Sequence, residues 1–146
     1  MLFRSMNKSR IYQQLKKPEK AIQEMERLIG SDSTNVQAYA LLAELYQSIG
    51  NNEKALESFR KIESIDPENA YIHLSLADFY RTAGDKEKSF DQLKLAFRNR
   101  QLEIDTKISI LSSYYSLVVE HPELKEQAIQ LCDILLEVHE IGRAHV

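Results

Sequence analysis

The chain has a single cysteine, only four glycines and three prolines, and no apolar run longer than a few residues. Lone Cys132 excludes an intramolecular disulfide framework, although it leaves the compartment open. Scarce Gly and Pro suit a helical chain with short turns. Short apolar runs exclude a segment able to span a bilayer, and the opening MLFRSMNKSR lacks the continuous apolar core of a signal peptide. A clustered basic face is missing too. The 19 basic residues are scattered and the formal net charge is -3, whereas counterion release on nucleic acid needs a concentrated positive surface. No nucleic-acid partner is expected. His73, His121, His139 and His145 never reach a metal-ligand spacing, and no Gly-rich phosphate loop occurs. Neither cofactor nor metal is expected, and no catalytic constellation is found. Cys132 falls on an apolar helical stripe and is expected to be a buried, inert thiol.

What is present is repetition. SRIYQQLKKPEKA, AELYQSIGNNEKA and ADFYRTAGDKEKS begin at Ser9, Ala43 and Ala77, each 34 residues after the last. Placing Tyr12, Tyr46 and Tyr80 in register aligns Ala21, Ala55 and Ser89, then Met25, Phe59 and Leu93, then Leu28, Ile62 and Ala96. Tyr114 keeps the spacing once more. Within one period, Tyr39, Leu42, Ala43 and Tyr46 recur as one face of a helix. Gly50 breaks that helix, because glycine readily takes the left-handed conformation. A second stripe, Ala55, Leu56, Phe59 and Ile62, stops at Asp66 before Pro67. Small residues at Ala43 and Ala55, and at Ala77 and Ser89, let the two helices cross closely. Neither helix can bury its stripe alone, so hairpins must stack. The charged runs DKEK and LKKPEK read as solvated turns and helix starts.

This pattern resembles the tetratricopeptide repeat, a 34-residue helix–turn–helix unit. Residues 36–69 supply Tyr39, Leu42, Ala43, Tyr46, Ala55, Phe59, Ile62 and Pro67 at the family's positions, with Ile62 replacing an Ala. Residues 70–103 supply His73, Leu76, Ala77, Tyr80, Ser89, Leu93 and Ala96, and depart at Gln101, where Pro would sit. The outer repeats deviate more. Repeat one has Ser5 at a bulky position and Lys8 at a Leu position. Repeat four has Leu111 at the small position, and its Ala128 lies 39 residues after Ser89, which implies about five inserted residues near VVEHPEL and a first helix ending before Pro122. The resemblance implies an all-α fold, a right-handed superhelical solenoid of antiparallel hairpins, with repeats at about 2–35, 36–69, 70–103 and 104–140.

The ending IGRAHV breaks every local pattern before it and matches what a common short-read sequencing adapter encodes in one frame. Residues 141–146 are therefore expected to be a non-native tail. The preceding helix, QAIQLCDILLEVHE, is apolar on more than one face, whereas solenoids need polar caps. That predicts a fragment of a longer, bacterial array, cytoplasmic or exported, or else self-association through the exposed last helix.

The resemblance also implies a function, which is a scaffold whose first helices line a concave groove for a peptide or helix of a partner protein. Carried over position by position, the groove residues are Phe3, Met6 and Arg10; Gln37 and Glu44; Tyr71, Leu74, Asp78 and Arg81; and Ile108 and Tyr115. Tyr71 and Arg81 lead, since exposed aromatics and arginines anchor interfaces. The carboxylate clamp of the family's chaperone co-factors would fall on Met6, Arg10, Leu41, Tyr71 and Ser75, or one repeat later on Ala40, Glu44, Ser75, Asp105 and Ser109. Neither set is cationic enough to grip an acidic tail. The competing reading is a structural or regulatory segment of a larger protein whose activity lies elsewhere.

Overall fold

In a computed structural model that describes residues 2–140, the regular structure is entirely helical. The elements are α1 (Leu2–Gln14), α2 (Pro18–Ser31), α3 (Val36–Ser48), α4 (Asn52–Ile65), α5 (Ile72–Thr82), α6 (Lys86–Arg98), α7 (Ile104–Glu120), a 3-10 turn (Pro122–Leu124) and α8 (Lys125–His139). The tail at 141–146 lies outside the described residues. Two compact units result, one ending at Pro67 and the other beginning at Glu68. In the first, α1 packs on α2, α2 on α3, and α3 on α4. In the second, α5 packs on α6, while α8 packs on both α6 and α7.

The same turn reverses the chain three times. Asn51 N–H donates to the Tyr46 carbonyl at 2.8 Å and Gly50 N–H to Gln47 at 3.0 Å, the paired bonds of a Schellman ending. Asp85 and Gly84 repeat this on Tyr80 and Arg81, and Lys17 and Lys16 on Tyr12 and Gln13. The middle residue must be left-handed, with φ of 78° at Gly50, 85° at Gly84 and 56° at Lys16. The residue after it begins the next helix. Asn51 and Asp85 accept from Lys54 N–H and Lys88 N–H, whereas Lys17 offers no side-chain cap and is followed by Pro18 at the first helical position.

The crossings are tight where the sequence placed small residues. Ala43 and Ala55 are both fully buried. Ser9 Oγ donates to the Ala21 carbonyl at 3.2 Å, from first helix to second. In the third hairpin the direction inverts, and Ser89 Oγ on the second helix donates to Ala77 on the first at 2.7 Å. Either way, a hydroxyl that would otherwise be buried without a partner is satisfied.

The charged turns are more than solvated. Lys20, Lys54 and Lys88 hold the same register, and their ammonium groups lie 5.8, 5.4 and 5.6 Å from the ring centroids of Tyr12, Tyr46 and Tyr80. Each such contact contributes about 0.5–1 kcal/mol at an exposed site. Tyr46 also donates its hydroxyl to Glu26 Oε1 at 2.6 Å. Burial and then that carboxylate push its phenol up to about 12. Lys8, out of pattern at a Leu position, pairs with the nearly buried carboxylate of Glu24 at 2.9 Å, and Arg27 holds the other oxygen at 3.0 Å.

Hairpin four departs as the insertion implies. α7 runs to 17 residues, against 11 in α5, and ends at Glu120. Leu111 does not make a close crossing. It packs at the edge of a core of Phe97, Leu131, Ile134 and Leu135, together with Ile110 and Tyr114. Gln127, which lies 39 residues after Lys88, takes that lysine's place and accepts from the Tyr114 hydroxyl at 3.2 Å. Where Pro is missing at Gln101, Asn99 closes the turn. Its amide nitrogen donates to the Asn69 carbonyl at 3.2 Å, and its oxygen accepts from Gln101 N–H at 2.8 Å.

Because Lys16, of the three hairpin turns' left-handed residues, is the one that bears a side chain, Lys16→Gly should raise stability by about 1 kcal/mol, and Gly50→Ala should lower it by a similar amount. Urea unfolding followed by circular dichroism checks both. Open space around the Gly50 α-carbon leaves backbone conformation as the cause of any loss.

Candidate functional site

In the first unit, α1 presents Phe3 and Arg10 to solvent with Met6 half-buried, and α3 exposes Gln37 and Glu44. In the second unit, Tyr71 stands outside α5, immediately before its first residue. Asn69 Oδ1 caps the helix by accepting from Tyr71 N–H at 3.0 Å and Ile72 N–H at 3.1 Å. Leu74 is half-buried. Asp78 and Arg81 pair with each other at 2.5 Å, both largely exposed, so the ion pair itself adds little stability. Arg81 also borders a cleft of about 300 Å³ lined by Phe90, Tyr114, Leu117 and Gln127.

An apolar concavity lies between α7 and α8. Leu111, Tyr115, Val118, Ala128, Ile129 and Cys132 line about 340 Å³, with Lys125 at the rim. Tyr115 is 77% exposed above it and Ile108 continues the stripe two turns earlier. On α7, residues 104, 108, 111, 115 and 118 alternate steps of four and three, which keeps one helical face apolar. Of the groove positions carried over from the repeat, Tyr115 alone lines this site, with Ile108 beyond it on the same face of α7. Leu111, Val118, Ile129 and Cys132 were missed, although the alternating spacing on α7 was there to find. Cys132 is exposed, not buried as expected, because Leu131, Ile134 and Leu135 occupy the face of α8 that turns to the core.

One cationic group is enclosed. Lys107 is fully buried, and its ammonium donates to the Asn99 carbonyl and to His139 Nε2, each at 2.7 Å. It stands 34 residues after His73, at the repeat's bulky position, a signal the sequence carried. Burial lowers the Lys107 pKa. Burial, then the positive charges of Lys107 and Arg100, lower that of His139. A neutral imidazole accepting at Nε2 keeps its own proton on Nδ1. Among the described residues, no group of three or more His, Cys, Asp or Glu side chains is placed to hold a metal, and no helix is long and apolar enough to cross a membrane.

Helix pairs that bury their stripes against neighbours and leave polar-rimmed apolar faces define the class of helical-repeat scaffolds. Residues 5–35 and 36–69, which form the first two hairpins, match the model of the tetratricopeptide repeat. Its fold is similar to the crystal structure of MamA, at 17% identity and TM-score 0.64 over 97% of this chain and 80% of that one. It is also similar to the Yersinia enterocolitica type III secretion translocator chaperone SycD, at 17% identity and TM-score 0.58 over 97% and 86%. PilW, a type IV pilus biogenesis factor, matches at 21% identity and TM-score 0.57 over 94% and 77%. No curated protein sequence matches.

Two outcomes follow from this geometry. A histidine whose pKa is lower folded than unfolded binds protons more readily unfolded, so the His139 contribution to stability is present above 6.5 and is lost as pH falls below it. The urea midpoint should fall over that acidic range, and less so in His139→Gln; an equal fall in both would remove the assignment. Cys132 should take one equivalent of a maleimide without denaturant, as read by intact mass, whereas a buried thiol would label only on unfolding.

Proposed function

We propose that the chain recruits a partner protein by holding an amphipathic helix or an extended peptide against the exposed faces of its first helices. One observation carries this reading. Tyr115 stands 77% exposed over an apolar groove of about 340 Å³, a combination that costs solvation unless something covers it. Phe3 at 79% and Tyr71 at 54% extend the aromatic signal to the other first-helix positions. Charge enters through Arg10, Glu44, Asp78 and Arg81, which would set register more than affinity. Residues 70–103 and 104–140 are read as the third and fourth repeats, on the strength of the Ser89–Ala77 bond and the Tyr114–Gln127 pair. Chaperone and pilus-biogenesis roles belong to SycD and PilW by their names. For this chain they support a partner that is itself a protein.

Selection from a displayed library of helical and extended peptides against the whole chain tests the reading. Binders should emerge, and Tyr115→Ala should weaken the best of them about tenfold or more, as loss of an aromatic anchor does. Selection that returns only peptides indifferent to Tyr115, Tyr71 and Arg81 would remove the first-helix faces as the site.

A further inference from the structure

The repeat register marks which surfaces a neighbouring hairpin would cover. On α6, Phe97 is fully buried, and Phe90 and Leu93 pack into the core that α8 completes. Thirty-nine residues later the same register holds Ile129, Cys132 and Leu136, and here Ile129 is 44% and Leu136 47% exposed. The other half of the mismatch lies on α1. Its counterpart α3 docks on α2 with Ala38 and Leu45 fully buried, but the matching residues of α1 are Arg4, which is exposed, and Ile11, which is 54% exposed. One molecule thus carries an uncovered receiving face on α8 and an uncovered inserting face on α1.

Charge supports their union. α1 carries Arg4 and Arg10 with no acidic residue, Lys8 being engaged by Glu24. α8 carries Glu126, Asp133 and Glu137 against Lys125. We propose that α1 of a second copy docks on the α7–α8 face, repeating between molecules the way α3 docks on α2 within one. The contact is heterologous, since different surfaces meet, so it propagates head to tail unless it closes into a ring. This inference rests on the reading of the α7–α8 groove as a docking surface and names its occupant.

Sedimentation velocity of the full chain over a wide range of concentration provides the test. Association should rise with concentration and weaken with salt. Ile11→Glu and Leu136→Glu should each weaken it about tenfold or more. Both positions are exposed, and unchanged helical circular dichroism would show that both variants fold. Mixed in equal amounts, the two variants should form a complex that stops at two copies, because only one good α1 and one good α8 face remain. Labelling of Cys132 should slow as the wild-type protein associates. A wild type that stays monomeric overturns the proposal. So does loss of association in Leu136→Glu alone with none in Ile11→Glu, which would mark a symmetric α8–α8 contact. Peptides that select onto Tyr115 while the chain remains monomeric would leave the proposed function standing and remove only this inference.

Discussion

Reversing a helix within three residues requires one backbone in the left-handed region, and the first three hairpins are built on that requirement. With the turn fixed, the tyrosine three places before the helix cap is fixed as well, because its carbonyl receives the returning N–H. The following helix then starts at a set distance, which brings the lysine of its first turn over that tyrosine's ring. Small residues on either side of the turn meet at the crossing. A local backbone conformation therefore determines which side chains touch, and the 34-residue period is the sequence record of that geometry.

Constant geometry tolerates changing chemistry. The crossing is Ser to Ala in one hairpin, Ala against Ala in the next and Ala to Ser in the third, yet each version is satisfied. Lysine over tyrosine becomes a glutamine accepting from tyrosine in the fourth. Lys8, where a leucine is expected, is held at the surface by Glu24. What the repeat leaves unconstrained is the exposed side of the first helices, and there the sequence varies freely from Phe3 to Gln37 to Tyr71. Variation on a fixed frame is how one fold serves different partners.

The fold was legible because its signals are periodic and local. Tyr12, Tyr46 and Tyr80, the small crossing pairs and the stop before Pro122 all follow from spacing. The lysine–tyrosine contacts were less visible, since the pairs are eight residues apart across a turn and share no helical face. Cys132 was misread because an apolar stripe on α8 admits two faces, and only the packing of α6 and α7 decides which one is buried. Lys107 was overlooked for a related reason. A lysine in a helix normally extends to solvent, and its burial depends on Asn99 and His139, neither adjacent in sequence. The family's position map located one lining residue of the α7–α8 groove, Tyr115, because the inserted residues lengthen α7 and change what it exposes.

The bond from Tyr46 to Glu26 joins a side chain of the second hairpin to one of the first, across the junction of α2 and α3. In a solenoid, stability divides into what each hairpin has alone and what each shares with its neighbour. A hydrogen bond at such a junction belongs to the shared part, and with the Glu26 carboxylate exposed to water it contributes about 0.5–1.5 kcal/mol. Hairpin one, with a lysine at its left-handed turn and no side-chain cap on α2, has the weaker intrinsic share. Its order therefore leans on the junction with hairpin two.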